Sequence, residues 1–196
     1  MEKVSPSKEP QATLFITAPC GLYDDFVCRQ DIKSVKSNLE QIENESPLHE
    51  LEFATCKTSI SALEIVRAFF TKNDKQGSRM RILFSGHGTP PTKKLIGNEN
   101  SSAALNEAWI FQNGTLSLND ILYWFQLIKH SDVCLELVVD SYFSYKWRKG
   151  ITAFNETNTK KIKFYSSTLS DMGSSSPMFT GQGSLALKEW SFYGND

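Results

Sequence analysis

Two short stretches hold the residues best able to do chemistry. The first is RILFSGHG (81–88), where an apolar run ends in Ser85, Gly86, His87 and Gly88; the second is VVDSYFSYKW (138–147), where another ends in Asp140, Ser141, Tyr142, Phe143 and Ser144. A histidine beside a hydroxyl or thiol at the end of a strand is the arrangement of nucleophilic catalysis, with the imidazole as base and the partner as attacking atom. A third candidate group is Cys28 with Asp31 in FVCRQDIKSVKSNL (26–39), to which Cys20 adds a second thiol upstream. Asp31 and Asp140 could converge on a cleft and hold arginine or lysine through charge-assisted hydrogen bonds. Each also has a plain structural role open to it: Asp31 as a helix cap, Asp140 as an acceptor for loop amides, and His87 as an ordinary loop residue.

The elements that must position these residues follow from hydrophobic period. Short β-branched apolar runs predict strands at 13–18, 51–58, 80–85, 134–139 and 161–166. The polar segment after the first strand reads as a loop. Ile32, Val35, Leu39 and Ile42 then predict a helix from Asp31, and Ile60, Leu63, Val66 and Phe70 a second one. Ser61 with Glu64 reads as a capping box for that second helix. Asn113-Gly114 signals a hairpin turn. Ser117 and Asp120 open a third helix through Ile121, Leu122, Phe125 and Ile128. Residues 169–183 read as loop, and SLALKEW as a short last helix.

Strands alternating with helices predict an α/β fold, a mostly parallel central sheet with helices on both faces. Sites in such sheets lie outside the carboxyl ends of the strands. His87 leaves the third strand and Asp140–Tyr142 the fourth, so both belong to that edge.

Bulk properties narrow the classes of function. The chain has 196 residues and a formal net charge of −1, enough for one full core and no electrostatic case for nucleic acid or a membrane surface as partner. No apolar run approaches the roughly 20 residues of a membrane helix. Residues 1–12 read as a flexible leader without a signal-peptide centre, and 13–196 as a single domain, which points to the cytoplasm. The four cysteines, Cys20, Cys28, Cys56 and Cys134, have no C-x-x-C pairing, so neither a disulfide framework nor a metal site is expected. Cys56 and Cys134 read as core, His49 and His130 as surface, and the sequons at Asn44, Asn100, Asn113 and Asn155 as chance. No cofactor is expected.

Taken together, the motifs resemble the caspase and metacaspase superfamily of cysteine peptidases, over roughly residues 13–190. That family carries S-G-H-G after one strand and D-x-C-x-S-G after the next. Here 55 residues separate His87 from Tyr142, against about 50 between histidine and cysteine in caspases. The segment around Cys28 and Asp31 is similar to the metacaspase-like L-x-G-C-x-N-D-A, with Val27 and Gln30 replacing its glycine and asparagine. The resemblance implies a caspase-like three-layer sandwich, His87 as the retained base, and Cys28, Asp31 and Asp140 as the lining of a pocket for a basic side chain.

It also implies a nucleophile at position 142, where this chain has tyrosine. A phenol with pKa near 10 is mostly protonated at neutral pH. Its oxygen sits roughly 4 Å further from the backbone than a cysteine sulfur, when about 1 Å can already cost a hundredfold in rate. Tyr145 takes the place of the family glycine. Ser141 is adjacent, but successive side chains on a strand point to opposite faces. The expectation is an inactive caspase-like pseudopeptidase, a protein-interaction or regulatory domain whose partner is a protein or peptide, for example an active caspase-like relative. The rival is an active endopeptidase cleaving after arginine or lysine with a relocated nucleophile: Ser141, Cys20 or Cys28. Iodoacetamide should then find no hyper-reactive thiol under the first reading.

Overall fold

The computed structural model describes residues 12–20, 22–43, 50–88, 108–141 and 147–166. In chain order these form β1 (Ala12–Ala18), α1 (Leu22–Glu43), β2 (Glu50–Thr55), α2 (Ser59–Lys72), β3 (Arg79–Gly86), β4 (Ala108–Phe111), β5 (Gly114–Ser117), α3 (Leu118–Gln126), β6 (Cys134–Asp140), α4 (Trp147–Thr157) and β7 (Lys161–Ser166). Five strands build one parallel sheet in the order β2-β1-β3-β6-β7, and β4 and β5 pair as a separate antiparallel hairpin. The protein is therefore α/β, a three-layer sandwich around a parallel sheet.

Strand order decides which helix covers which face. The chain steps from β1 outward to β2, then back across to β3 and onward to β6 and β7. With right-handed crossovers the first step and the later ones put their helices on opposite faces. The side chains agree. Met80, Ile82 and Phe84 of β3 and Leu135, Leu137 and Val139 of β6 join the large core cluster with α2, α3 and α4. The intervening Leu83 and Val138 join a small cluster with Phe15 and with Val35 of α1.

The large core is rich in stacked rings. Phe84 stacks on Trp109 at 4.0 Å with the planes 2° apart, and Trp109 stacks on Trp147 at 5.2 Å. This ladder ties β3, β4 and the start of α4 together directly beneath the carboxyl end of the sheet. Gly86 is needed there. A Cβ on it would come within 2.9 Å of the Phe84 ring and 3.0 Å of Ala18 Cβ.

The strands expected at 80–85, 134–139 and 161–166 are found within one residue of those bounds. Four differences have physical causes. α1 begins at Leu22 rather than Asp31, running through a segment whose acids made it read as loop. The second strand ends at Thr55, because Thr58 turns out to be the N-cap of α2, its hydroxyl accepting the Ser61 amide at 3.1 Å; the expected Ser61–Glu64 box is superseded. The hairpin turn is centred on Gln112 and Asn113, with Gly114 already the first residue of β5 at φ +150°. Finally, α4 was not expected, although Trp147, Ile151 and Phe154 are buried at helical spacing.

The Ser117–Asp120 capping box of α3 is present: the Ser117 amide donates to the Asp120 carboxylate at 2.8 Å. α3 stops at Gln126, short of Ile128, where the Lys160 ammonium donates to the carbonyls of Phe125, Gln126 and Ile128. β1 starts at Ala12, one residue inside the expected leader. Residues 1–11, His49, the 169–183 loop and the SLALKEW helix lie outside the described residues.

Candidate functional site

Alternation along the strands places three polar residues under α1. Ser85 follows Leu83 by two on β3, Asp140 follows Val138 by two on β6, and Ser85 is the register partner of Asp140. Leu83 and Val138 both pack in the α1-side cluster, so Ser85 and Asp140 continue that face at its carboxyl end. α1 supplies the third member. Among its described side chains Cys28, Asp31 and Val35 are buried, three and four apart on one stripe, and Asp31 meets the strand pair: the Ser85 hydroxyl donates to Asp31 Oδ2 at 2.6 Å.

Asp31 is 0% exposed and Asp140 4%. Asp31 is an interior helix residue, so the capping role is excluded. Its second oxygen, Oδ1, is buried with no hydrogen-bond partner among the described residues. Burial lifts the Asp31 carboxyl, the Ser85 hydrogen bond pulls it partly back, and the Asp140 charge lifts it further, to about 6. A carboxylate kept from water with half its acceptors unfilled is costly, and such groups concentrate at functional sites. Chemically, the pair is suited to receive a cationic donor or to share a proton.

His87 emerges from β3 immediately after Gly86, beside β1, at the point where the chain reverses its direction across the sheet. This is the topological switch point, where open α/β sheets place ligands. Its carbonyl accepts the Ile110 amide at 2.9 Å, and Gly88 bridges to Trp109, so β4 fixes the loop that carries the imidazole. Cys20 lies on the same edge after β1; its thiol donates to the Ala18 carbonyl at 3.9 Å and to the Ile110 carbonyl at 3.8 Å. One residue of β4 thus anchors both the histidine loop and an exposed thiol.

The other candidates are dispersed. Ser141 is buried and has the chain parity of Leu137 and Val139, which pack on the face away from α1. Cys28 is buried. Cys56 is buried beyond the end of β2 and its thiol is pushed up to about 11 by that burial. Cys134 opens β6 at the opposite, amino end of the sheet, half-buried rather than in the core as expected, and burial raises its thiol too. His130 is exposed and contacts Asp74 at 2.9 Å. Tyr142 and Tyr145 lie outside the described residues. Ser85 is the site residue that motif reading passed over; its signal was its position two beyond Leu83 on an alternating strand. Among the described residues, no group of three or more His, Cys, Asp or Glu side chains is placed to hold a metal ion, and no helix is long and apolar enough to cross a membrane.

Comparison with known proteins adds little to this geometry. No family model matches the chain, and no curated protein matches it. Among solved structures it is similar to protein GSU0716 from Geobacter sulfurreducens, at 12% identity and a TM-score of 0.41, over 93% of this chain and 64% of that one.

Proposed function

We propose that this domain is a caspase-like pseudopeptidase, a peptidase scaffold without its nucleophile that acts through protein or peptide interaction. The observation that carries the reading is the buried Asp31–Ser85 hydrogen bond beside Asp140, at the carboxyl edge from which His87 also emerges. Three sequence motifs that resemble the family, far apart in the chain, supply the members of one cluster and its neighbouring loop. Both acids are closed off from solvent, which favours a shut or vestigial basic-residue pocket over an open substrate cleft. Two residues beyond Asp140, position 142 is tyrosine.

The test is turnover of fluorogenic peptides ending in arginine or lysine, with and without calcium. The wild-type chain is expected to be silent. Tyr142→Cys combined with Tyr145→Gly should give hydrolysis that His87→Ala abolishes. If the double variant folds and gains no activity, the vestigial-peptidase reading fails. Co-purification with an active caspase-like protein from the same source tests the regulatory role.

A second reading has one observation in its favour. Cys20 is exposed and tied to the same residue, Ile110, that anchors the His87 loop, so among the alternative nucleophiles it is the best placed. The carbonyl oxygens of Ala18 and Ile110 that its thiol meets accept from S–H and offer a thiolate nothing. Fast iodoacetamide labelling of Cys20 at neutral pH, lost in His87→Ala, would favour this relocated-thiol enzyme over the pseudopeptidase.

A further inference from the structure

The sequence Asn113-Gly114 runs from the β4–β5 turn into the first residue of β5, and both residues are exposed. Gly114 sits at φ +150°, a conformation that L side chains rarely adopt. As a glycine it carries no side chain of its own beside its backbone nitrogen, and the Ser59 side chain packs against it, with Ser59 Oγ 2.6 Å from where a Cβ would stand. The Asn113 side chain is oriented by the next element in space. Its Oδ1 accepts the backbone amide of Ser59 at 3.3 Å, and Ser59 is the first residue of α2. An N–H at a helix start carries part of the positive end of the helix dipole. Aimed at an amide oxygen, it draws electrons from the side-chain carbon and would stabilise negative charge forming on that oxygen.

The geometry points to Asn113 as a site of spontaneous deamidation in the folded protein, promoted by the start of α2. The Gly114 nitrogen attacks Cγ of Asn113 and forms a new N–C bond. The side-chain nitrogen leaves as ammonia, taking up the proton that Gly114 loses. Water then opens the resulting succinimide at one of its two carbonyls. Opening at one leaves aspartate; opening at the other leaves isoaspartate, with one more carbon in the main chain. The two products act differently. An aspartate carboxylate formed at this position, facing the Ser59 amide, is favoured by the helix dipole. Isoaspartate lengthens the turn and disturbs β4, the strand whose Trp109 stacks on Phe84 and whose Ile110 holds the His87 loop. The modification thus reaches the candidate site through the hairpin, and the inference stands whatever that site does.

The experiment follows the peptide spanning residue 113 by mass spectrometry during incubation of the full chain near neutral pH, reading the gain of one mass unit and methyltransferase labelling of isoaspartate. Folded wild-type protein is expected to convert at least as fast as the same chain held unfolded in urea. Ser59→Pro removes the donating N–H while keeping a residue favoured at the first helical position, and Thr58 before it is already extended. That variant should slow conversion by roughly tenfold, short of the hundredfold or more that a tight oxyanion donor supplies. Asn113→Gln should stay intact, and Asn113→Asp should raise the melting temperature by about 1–3 °C. Slower conversion in the folded than in the unfolded chain, or a folded Ser59→Pro variant that converts as fast as wild type, overturns the inference.

Discussion

The two faces of the sheet are built on different principles. The face under α2, α3 and α4 is filled by stacked rings and branched aliphatics, with the Phe84–Trp109–Trp147 ladder at its centre. Among the described residues, the face under α1 has a cluster of four buried apolar side chains. Around that cluster it buries Asp31, Ser85 and Asp140 and carries the half-buried Arg81–Glu136 ion pair, whose nitrogen and oxygen are 2.8 Å apart. Apolar packing is non-directional and gains with area, so it suits the face that holds the fold together. Buried polar groups cost free energy unless satisfied, so a face that retains them gives up stability. One sheet thus separates what stabilises the domain from what it could act with.

The most forceful way to break this contrast is to attack the ladder. Trp109→Ala removes a fully buried ring between two others and should cost about 3–5 kcal/mol in urea unfolding. A loss near 1 kcal/mol would mean that face is not where stability resides.

The α1 face should respond to pH instead. Asp31 has a folded-state value raised to about 6 from an ordinary 3.8. The folded state therefore binds a proton more tightly than the unfolded chain, and its contribution is fully present below about pH 4. It is lost as pH rises through about 6, amounting to roughly 3 kcal/mol at most. Unfolding midpoints measured from pH 4 to 7 should lose this component in Asp31→Asn. In Ser85→Ala the fall should shift to higher pH, since the hydrogen bond that favours the carboxylate is gone. A pH profile identical in wild type and Asp31→Asn would sink the proposed burial of an ionisable group.

Gly86→Ala sharpens the boundary between the faces. Its Cβ meets the Phe84 ring and Ala18, so overpacking should cost about 2 kcal/mol and displace the loop carrying His87. Smallest of all, Thr58→Ala removes the α2 cap for about 1 kcal/mol, with no change in the pH profile of the α1 face.

Legibility in the sequence followed the same division. β7 was readable to the residue and β3 and β6 within one, because buried parallel strands are short apolar runs bounded by polar residues. α1 was misplaced at its start because Tyr23, Asp24 and Asp25 weaken the helical stripe there. α4 went unseen because Gly150 and the β-branched Ile151 and Thr152 lower helix propensity. Contact supplies the reason for that glycine: a Cβ there would lie 2.9 Å from Leu118 Cδ2. At the candidate site the motifs named Asp31, Asp140 and His87. They did not name Ser85 as the link between helix and strand, nor Ile110 as the anchor of the histidine loop.

By itself, then, the sequence determined that a parallel α/β sheet forms and that His87 and Asp140 share its carboxyl edge, since period and order along the chain dictate both. Only the tertiary structure decided that Asp31 is buried against Ser85 rather than capping a helix, and that β4 anchors the loop carrying His87. Those outcomes depend on which helix crosses which side of the sheet and where strands align, relations between segments up to 54 residues apart that no local pattern encodes.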